Sequence, residues 1–236
     1  MGMWVAFGDS ARAAGYWPRA MARPGDKALP GVTATAIPRD RSVDPVASAL
    51  NDLMERYARG DDSALAELYR LGAPRLRGFL ARLGGDATLA DDLTQDTFLR
   101  IHRARGSFAT GAAALPWMIA IARNAFLDHS RRLVVRRREQ GDASAGSSAE
   151  PPAPPSTRGD EALAAREMLD IVQATLLGLP ALQRDAFVLI RFEGLSVAEA
   201  AQVLGTTEGA VKVRAFRAYE ALRAALDRSG GKKESR

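Results

Sequence analysis

Cysteine is absent from this 236-residue chain, and histidine occurs only twice, as His102 and His129. Without cysteine the chain cannot form a disulfide, a zinc ribbon, an iron–sulfur cluster or a thiol nucleophile. The two histidines lie in different parts of the sequence, which argues against a histidine-rich metal site. We therefore expect no metal, no cofactor and no catalytic residue of these kinds.

Long apolar runs are also missing, although apolar residues make up 47% of the chain. No stretch reaches the roughly 18 consecutive apolar residues that a membrane-spanning helix needs. Residues 1–9 do not combine a basic start with a long apolar stretch, as a secretory signal would. We therefore expect a cytoplasmic protein with a packed core.

Strict alternation of apolar and polar side chains, the pattern of a half-buried strand, is found nowhere in the sequence. Apolar residues instead recur at helical spacings, as Val46, Leu50, Leu53 and Tyr57 do. The predicted fold class is all-α, with two small helical domains joined by a proline-rich flexible linker.

The composition places that linker at residues 139–160, between helical patterns at 43–138 and 161–228. It contains four prolines within residues 151–155, which excludes a helix and favours polyproline II character. The two helical segments are the predicted domains.

Both ends of the chain lack a helical pattern. Residues 1–42 are rich in Gly, Pro, Ala and Arg and are predicted to be a disordered tail. An alternative is that translation starts at Met3 or Met21. Residues 229–236 are predicted to be a short basic tail.

Four helices are predicted in the first domain. Asp44 followed by Pro45 marks the first start, and Gly60 marks its end. Pro74 must kink or split the second helix, because proline removes a backbone donor. The fourth helix is predicted from about Leu115 to Arg138.

Charge is segregated along the chain. Residues 43–93 contain 6 basic and 9 acidic side chains, whereas residues 94–138 contain 9 basic and 2 acidic ones. Residues 205–236 contain 8 basic and 4 acidic side chains. Two basic segments in two domains predict two contacts with nucleic acid.

Residues 195–214 have the form of a helix-turn-helix. Ser196 and Glu199 form a capping box for the first helix, and Gly205 provides a left-handed turn. Thr206 or Thr207 is expected to cap the second helix. The predicted buried positions of the pair are Val197, Ala200, Ala201, Leu204, Val211 and Ala215. Those predicted for the preceding support helix are Leu182, Phe187 and either Leu189 or Ile190.

Side chains on the second helix that point away from this core can enter a major groove. The residues predicted to contact DNA are Thr207, Lys212, Val213, Phe216 and Arg217. The alternative is a plain helical hairpin with a solvated basic face.

A second candidate DNA surface lies on the fourth helix of the first domain. Trp117, Asn124, Asp128 and Arg131 are separated by 7, 4 and 3 residues and share one stripe, which Arg123 and Arg132 flank. An aromatic ring, an amide and arginines on a basic face can hold an unstacked single strand. A tryptophan near a helix start is as often part of the core, so that alternative stays open for Trp117.

Two blocks of sequence together resemble one known family. The runs Asp91–Arg100 and Leu115–Arg132 resemble region 2 of the sigma-70 family, and Leu179–Leu226 resembles region 4. Within that family, the chain is similar to the extracytoplasmic-function (ECF) RNA polymerase sigma factors, which have two domains and little else.

The resemblance implies both partners and sites. Asp92, Gln95 and Asp96 would dock on the β′ coiled coil of core RNA polymerase, and region 4 on the β flap. Trp117, Arg123, Asn124, Arg131 and Arg132 would contact the −10 element of promoter DNA, and the second helix of the pair the −35 element. These elements would lie about 17 base pairs apart, roughly 55–60 Å. An anti-sigma factor is an expected partner, and a small-molecule substrate is not.

Three positions depart from the family pattern. Ala210 replaces a common threonine and Val213 a common serine, so the −35 sequence that is recognised is in doubt. Ala200 replaces a larger aliphatic residue, which suggests closer packing of the two helices.

Two other classes of function compete with this interpretation. A helix-turn-helix regulator that acts without polymerase would usually carry a ligand or receiver domain, which the first domain does not resemble. An enzyme would need a site, but there is no glycine-rich phosphate loop and no convincing grouping of Ser, His and Asp.

Overall fold

The computed structural model describes residues 45–139 and 160–231. The helices in these ranges are α1 (Pro45–Ala58), α2 (Ala64–Gly84), α3 (Ala87–Ala104), α4 (Ala114–Glu139), α5 (Asp160–Gly178), α6 (Ala181–Arg191), α7 (Val197–Leu204) and α8 (Glu208–Gly231), with a short 3₁₀ turn at Arg105–Ser107. No strand occurs in the two described ranges, which confirms the all-α prediction. The predicted tail at 1–42 and the prolines of the predicted linker lie outside them.

Helices α1 to α4 pack around one apolar core. The largest fully buried side chains of this core are Tyr57, Phe79, Leu50, Met54, Leu68, Leu76, Leu80, Leu83, Ile101, Met118 and Ile119. Helices α2 and α4 approach closely at Gly72, where an added Cβ would lie 2.7 Å from Cε of Met118. A larger residue at position 72 would therefore require the end of the Met118 side chain to move.

Pro74 was predicted to kink or split α2; it lies inside a single helix, so a split is wrong. Proline leaves the carbonyl of Arg70 without its intrahelical donor and costs on the order of 3 kcal/mol in a helix interior. The apolar face continues on both sides of the proline, with Leu68 before it and Leu76 and Phe79 after it, all fully buried. Burial of these side chains favours one continuous helix over two shorter ones.

Helices α7 and α8 form the predicted helix-turn-helix. The capping box is present, since the Ser196 side chain accepts from the Glu199 amide and the Glu199 carboxylate accepts from the Ser196 amide. Gly205 adopts φ 60° and ψ 45°, a left-handed conformation that suits glycine. Thr207 caps α8, because its Oγ1 accepts from the Ala210 amide at 3.2 Å. The small side chain of Ala200 is fully buried in this region of the core.

The support helix α6 matches the predicted floor at two positions and departs from it at a third. Phe187 and Leu189 are buried and Ile190 is partly buried. Leu182 is 45% exposed, so its predicted place in the floor is wrong. It lies in the first turn of α6, where the neighbouring helices no longer cover the face that Ala186 and Leu189 bury.

The two groups of helices contact each other directly, α1–α4 on one side and α5–α8 on the other. Helix α4 packs against α7, and α2 packs against both α5 and α6. Within the described ranges, no helix is both long and apolar enough to span a bilayer.

Candidate nucleic-acid interface

Helix α4 presents the first basic surface. Asn124, Arg131 and Arg132 are exposed, as a contact with DNA would require. Trp117 is partly buried against the core and meets the ring of Phe108 edge-on, with 5.2 Å between ring centroids. The ring is therefore held by packing, with only part of it open to a ligand.

A carboxylate on this surface is already paired. Asp128 accepts a hydrogen bond from Arg100 of α3 at 2.7 Å and lies 3.5 Å from Arg131. The hydrogen bond from Arg100 lowers the pKa of Asp128 below its ordinary value, and the charges of Arg100, Arg131 and Arg132 act in the same direction. Asp128 thus positions the side chains of Arg100 and Arg131. Arg100, which the sequence patterns did not single out, links α3 to α4.

The exposed face of α3 carries the residues expected to dock on polymerase. Asp92 and Gln95 are exposed, whereas Asp96 is partly buried and bonds to Arg100 at 3.0 Å. Leu99 follows at helical spacing and is 56% exposed, which is unusual for a leucine in a packed helix. The face therefore combines charge, an amide and an apolar side chain.

Helix α8 presents the second basic surface. Lys212, Val213, Phe216 and Arg217 are all exposed, and Val211 beneath them is fully buried. Thr207 is exposed at the start of the helix, with its hydroxyl engaged as the cap. Thr207 thus lies at the start of α8, and the other four predicted −35 residues are exposed within its first three turns, an arrangement that suits a major groove.

Arg123 differs from the other predicted DNA residues, because it faces the second group of helices. Its Nε donates to Asp185 of α6 at 2.8 Å, and the two side chains are only 12% and 5% exposed. Burial raises the pKa of Asp185, against the opposing effects of Arg123, Arg184 and Arg214. The arginine is therefore covered in this arrangement.

A second ion pair joins the same two groups of helices. Arg82 of α2 donates to Glu193 at 3.2 Å and stacks over the Phe192 ring at 4.5 Å from its centroid. Burial raises the pKa of Glu193 to about 7, although Arg82 and Arg75 act to lower it. The loss of hydration outweighs the attraction here, because the Glu193 side chain is only 4% exposed.

Two further contacts join the same two groups of helices. Leu177 of α5 lies against Gly85, where an added Cβ would come within 2.8 Å of Leu177 Cδ1. Nε2 of Gln173 donates to the carbonyl of Ala81 at 3.3 Å. The sequence patterns did not reveal Asp185 and Glu193. For Asp185 the available signal was its position immediately before the apolar run from Ala186 to Ile190.

No cluster of three or more His, Asp or Glu side chains that could hold a metal occurs in residues 45–139 and 160–231. The exposed chemistry of these ranges consists instead of two basic helix faces and one mixed face on α3. This combination is suited to binding macromolecules.

Comparison with protein families gives two matches on this chain. Sigma-70 region 2 matches residues 68–136, and sigma-70 region 4 matches residues 169–222. The first contains α3 and most of α4, and the second contains the helix-turn-helix.

Curated proteins match across both regions. The RNA polymerase sigma factor CarQ of Myxococcus xanthus is 37% identical over 176 residues, which are 73% of this chain and 95% of the relative. The ECF RNA polymerase sigma factor BldN of Streptomyces coelicolor is 34% identical over 190 residues, which are 78% of this chain and 68% of the relative.

Solved structures match as well. The co-crystal structure of the sigma factor RpoE with the anti-sigma factor NepR from Bartonella quintana matches with a TM-score of 0.58 and 28% identity, over 69% of this chain and 96% of the other. The structure of CnrH in complex with the cytosolic domain of CnrY matches with a TM-score of 0.56 and 28% identity, over 76% and 97%.

Proposed function

The chain belongs to the sigma-70 family of RNA polymerase sigma factors, in its ECF group, and from this premise we propose how its residues divide the work of promoter recognition. The observation that carries the proposal is the presence of two basic helix faces in two family regions. Helix α4 of region 2 bears one, and α8 of region 4 bears the other.

Region 4 reads the −35 element through α8. Lys212 and Arg217 are exposed cations that can reach phosphates or base edges, and Phe216 and Val213 offer apolar contact to thymine methyl groups. Thr207 lies at the helix N-terminus, where exposed amides favour a phosphate. Val213 replaces a hydroxyl that the family commonly has here, so the preferred bases differ accordingly.

Region 2 binds the −10 element and holds it open. Asn124 can hydrogen-bond an extruded base, while Arg131 and Arg132 attract the backbone of the displaced strand. Trp117 supplies the edge of a packed ring, and Arg123 joins this surface once Asp185 releases it. These residues bind a strand that the polymerase keeps separated, so no covalent chemistry is required of the sigma factor.

The exposed face of α3 docks on the β′ coiled coil of core polymerase. Asp92 and Gln95 make the contact directly, and Asp96 both contributes charge and fixes Arg100. Region 4 docks on the β flap. The role is that of a cytoplasmic initiation factor without catalytic activity of its own.

An anti-sigma factor is a further proposed partner. The matched RpoE and CnrH structures each contain a second chain, NepR and the cytosolic domain of CnrY. In both cases the match spans nearly all of the RpoE or CnrH chain. A helix-turn-helix regulator that acts without polymerase is not favoured, because region 2 matches together with region 4.

The test is run-off transcription with purified core polymerase on a fragment library from the source genome, with start sites mapped. We expect specific starts only when both proteins are present, and weak binding to duplex promoters by the free protein. Tight, sequence-specific binding without polymerase, together with no specific starts, would support the independent regulator instead.

A further inference from the structure

The start of α4 lacks a capping side chain of its own. Residues 105–113, the α3–α4 loop, end in Gly111, Ala112 and Ala113, and α4 begins at Ala114. Helices usually begin after Ser, Thr, Asp or Asn, whose side-chain oxygens accept hydrogen bonds from the first free amides. None of the three residues before Ala114 can do this, so these amides need acceptors from elsewhere in the fold.

Asn51 of α1 supplies one such acceptor. Its Oδ1 accepts a hydrogen bond from the Ala114 amide at 2.7 Å, across 63 positions of sequence. Asparagine is among the best capping residues when it directly precedes a helix in the chain. Here the same chemistry comes from another helix, so the first turn of α4 is held by α1.

Glu55 lies one turn further along α1 and holds the loop itself. Its Oε1 accepts a hydrogen bond from the Gly111 amide at 3.0 Å. Gly111 has φ 82°, a left-handed conformation that glycine adopts without strain. Asn51 and Glu55 are four residues apart and therefore share one face of α1. This face holds two backbone amides at the junction of the α3–α4 loop and α4.

The first residue of the α3–α4 loop is also bound to this part of the fold. The guanidinium of Arg105 stacks over the Tyr57 ring at 5.0 Å from its centroid and pairs with Asp62, just beyond α1. Between the two anchors, Phe108 is buried and its ring meets that of Trp117 edge-on. A shift of the loop would therefore move the aromatic pair that adjoins the proposed −10 surface.

We propose that Asn51 and Glu55 are positioning residues of the −10 surface. They fix the α3–α4 loop and the first turn of α4, and thereby the place where Trp117 meets a separated strand. The proposal rests on the proposed function, because it takes Trp117 as a contact for that strand. Both residues precede residues 68–136, the range that matches sigma-70 region 2. The −10 surface thus depends on a helix outside the matched range.

An acceptor oxygen is what this role requires, and no particular charge. Both side chains are partly buried and accept hydrogen bonds from backbone amides. A carboxylate placed to touch the strand itself would repel its phosphates, so Glu55 acts through the loop and makes no direct contact. Conservative variants therefore isolate the role: Asn51→Asp and Glu55→Gln keep the acceptor, whereas Asn51→Ala and Glu55→Ala remove it.

The first measurement is amide hydrogen exchange in the free full-length protein, resolved by nuclear magnetic resonance. We expect the Ala114 amide to exchange about fivefold faster in Asn51→Ala, and the Gly111 amide in Glu55→Ala, the factor that follows loss of one net hydrogen bond. Amides of the buried core report global stability and should change less. Asp52→Ala, which removes an exposed side chain from the same helix, is the matched control. If Asn51→Ala does not fold, Glu55→Ala decides.

The second measurement is the base preference at the −10 element. Core polymerase with each variant binds a promoter library in which the −35 element is fixed and the −10 positions are randomised. We expect both alanine variants to lower the preference for the best −10 sequence roughly fivefold, the low end of the effect of one mismatched base pair. Asn51→Asp, Glu55→Gln and Asp52→Ala should keep the preference of the parent protein. A purely structural role would weaken binding to all −10 sequences alike.

Unchanged exchange of both amides would overturn the proposal, because α1 would then not hold the loop. Faster exchange with the base preference of the parent protein would overturn it as well, because the −10 surface would then not depend on this hold. An equal loss of preference in Glu55→Gln and Glu55→Ala would show that the acceptor oxygen is not what matters. Absence of specific transcription starts with the parent protein would instead reject the proposed function, and it is recorded before any variant is compared.

Discussion

Arg100 of α3 donates to Asp128 of α4 at 2.7 Å and to Asp96 of its own helix at 3.0 Å. One guanidinium thus joins the face proposed to dock on polymerase to the face proposed to bind the −10 strand. Hydrogen bonding to Asp128 raises the pKa of Arg100 further, so the arginine stays charged at every physiological pH.

Arg100→Ala is expected to lower the free energy of unfolding by roughly 1 kcal/mol, because it removes two partly exposed ion pairs and the packing of the side-chain stem. Arg103→Ala on the same helix is the control and should stay within about 0.5 kcal/mol of the parent protein. Urea unfolding followed by circular dichroism measures both. Equal stability of the two variants would show that the bridge between α3 and α4 does not contribute.

Lys212→Ala and Arg217→Ala are expected to weaken promoter binding by the polymerase complex. The loss should be roughly 1–3 kcal/mol and specific to the −35 sequence if the side chain reads a base edge. A phosphate contact would weaken binding to all sequences alike and reduce the salt dependence. The measurement is complex formation on promoters with intact or scrambled −35 elements.

Arg223→Ala is the control for this pair. Arg223 lies on the same helix, is exposed and pairs with Asp227 at 3.8 Å. It should leave promoter binding unchanged. Parent-like affinity in both Lys212→Ala and Arg217→Ala would reject the assignment of α8 as the recognition helix.

Replacing Asp92 and Gln95 by alanine is expected to reduce assembly with core polymerase at least tenfold, a loss typical of several interface residues acting together. Stability should be unchanged, because both side chains are exposed. Asp96 is less suitable for this test, because it accepts a hydrogen bond from Arg100 and its replacement would change stability as well as docking. Asp52→Ala on α1 removes an exposed charge elsewhere and should assemble normally. Assembly is measured by fluorescence anisotropy with labelled protein, and parent-like assembly of the double variant would show that this face is merely solvated.

The helix-turn-helix could be predicted from sequence residue by residue, because its determinants are local. Ser196 and Glu199 cap the N-terminus of α7 within one helical turn, and Gly205 ends α7 in a left-handed backbone conformation. Such features depend on neighbours a few positions away and survive in any folded context. The exposed residues of α8 follow from the same periodicity.

The contact between the regions could not be predicted in this way. Asp185 and Arg123 are 62 positions apart, and Glu193 and Arg82 are 111 apart. Whether a charge near an apolar run faces water or a partner depends on how distant helices pack. The prediction that Leu182 is buried failed for the same reason: its helical face is apolar, but no neighbouring helix covers the end of that face.

The contact between the two groups of helices is expected to depend on pH. Burial in this contact raises the pKa of Glu193 to about 7, from an ordinary value of 4.5. Between these values the buried Glu193 binds a proton that a hydrated Glu193 does not. Falling pH therefore favours the contact, and the contact weakens as pH rises to about 7. For one proton the equilibrium shifts by at most about tenfold per pH unit.

The groups that face this carboxylate are Arg82 and Arg75 of α2, and those that face Asp185 are Arg123, Arg184 and Arg214. All five are arginines. Burial also raises the pKa of Asp185, which acts in the same direction. Because Glu193 and Asp185 respond in the same direction, a variant is needed to identify the group responsible.

Glu193→Gln mimics the protonated side chain and is expected to keep the two groups of helices in contact from about pH 5 to about pH 7, where the parent protein loses the contact progressively. Asp170→Asn, which changes an exposed carboxylate on α5, should keep the response of the parent. Because the chain has no cysteine, spin labels can be attached at Arg103→Cys on α3 and Glu220→Cys on α8, two exposed positions. The distance between the two labels is measured in all three proteins. A full pH response in Glu193→Gln would show that Glu193 is not the titrating group. A longer distance in the parent protein on acidification would contradict the expected direction, because formation of the contact would then release a proton instead of binding one.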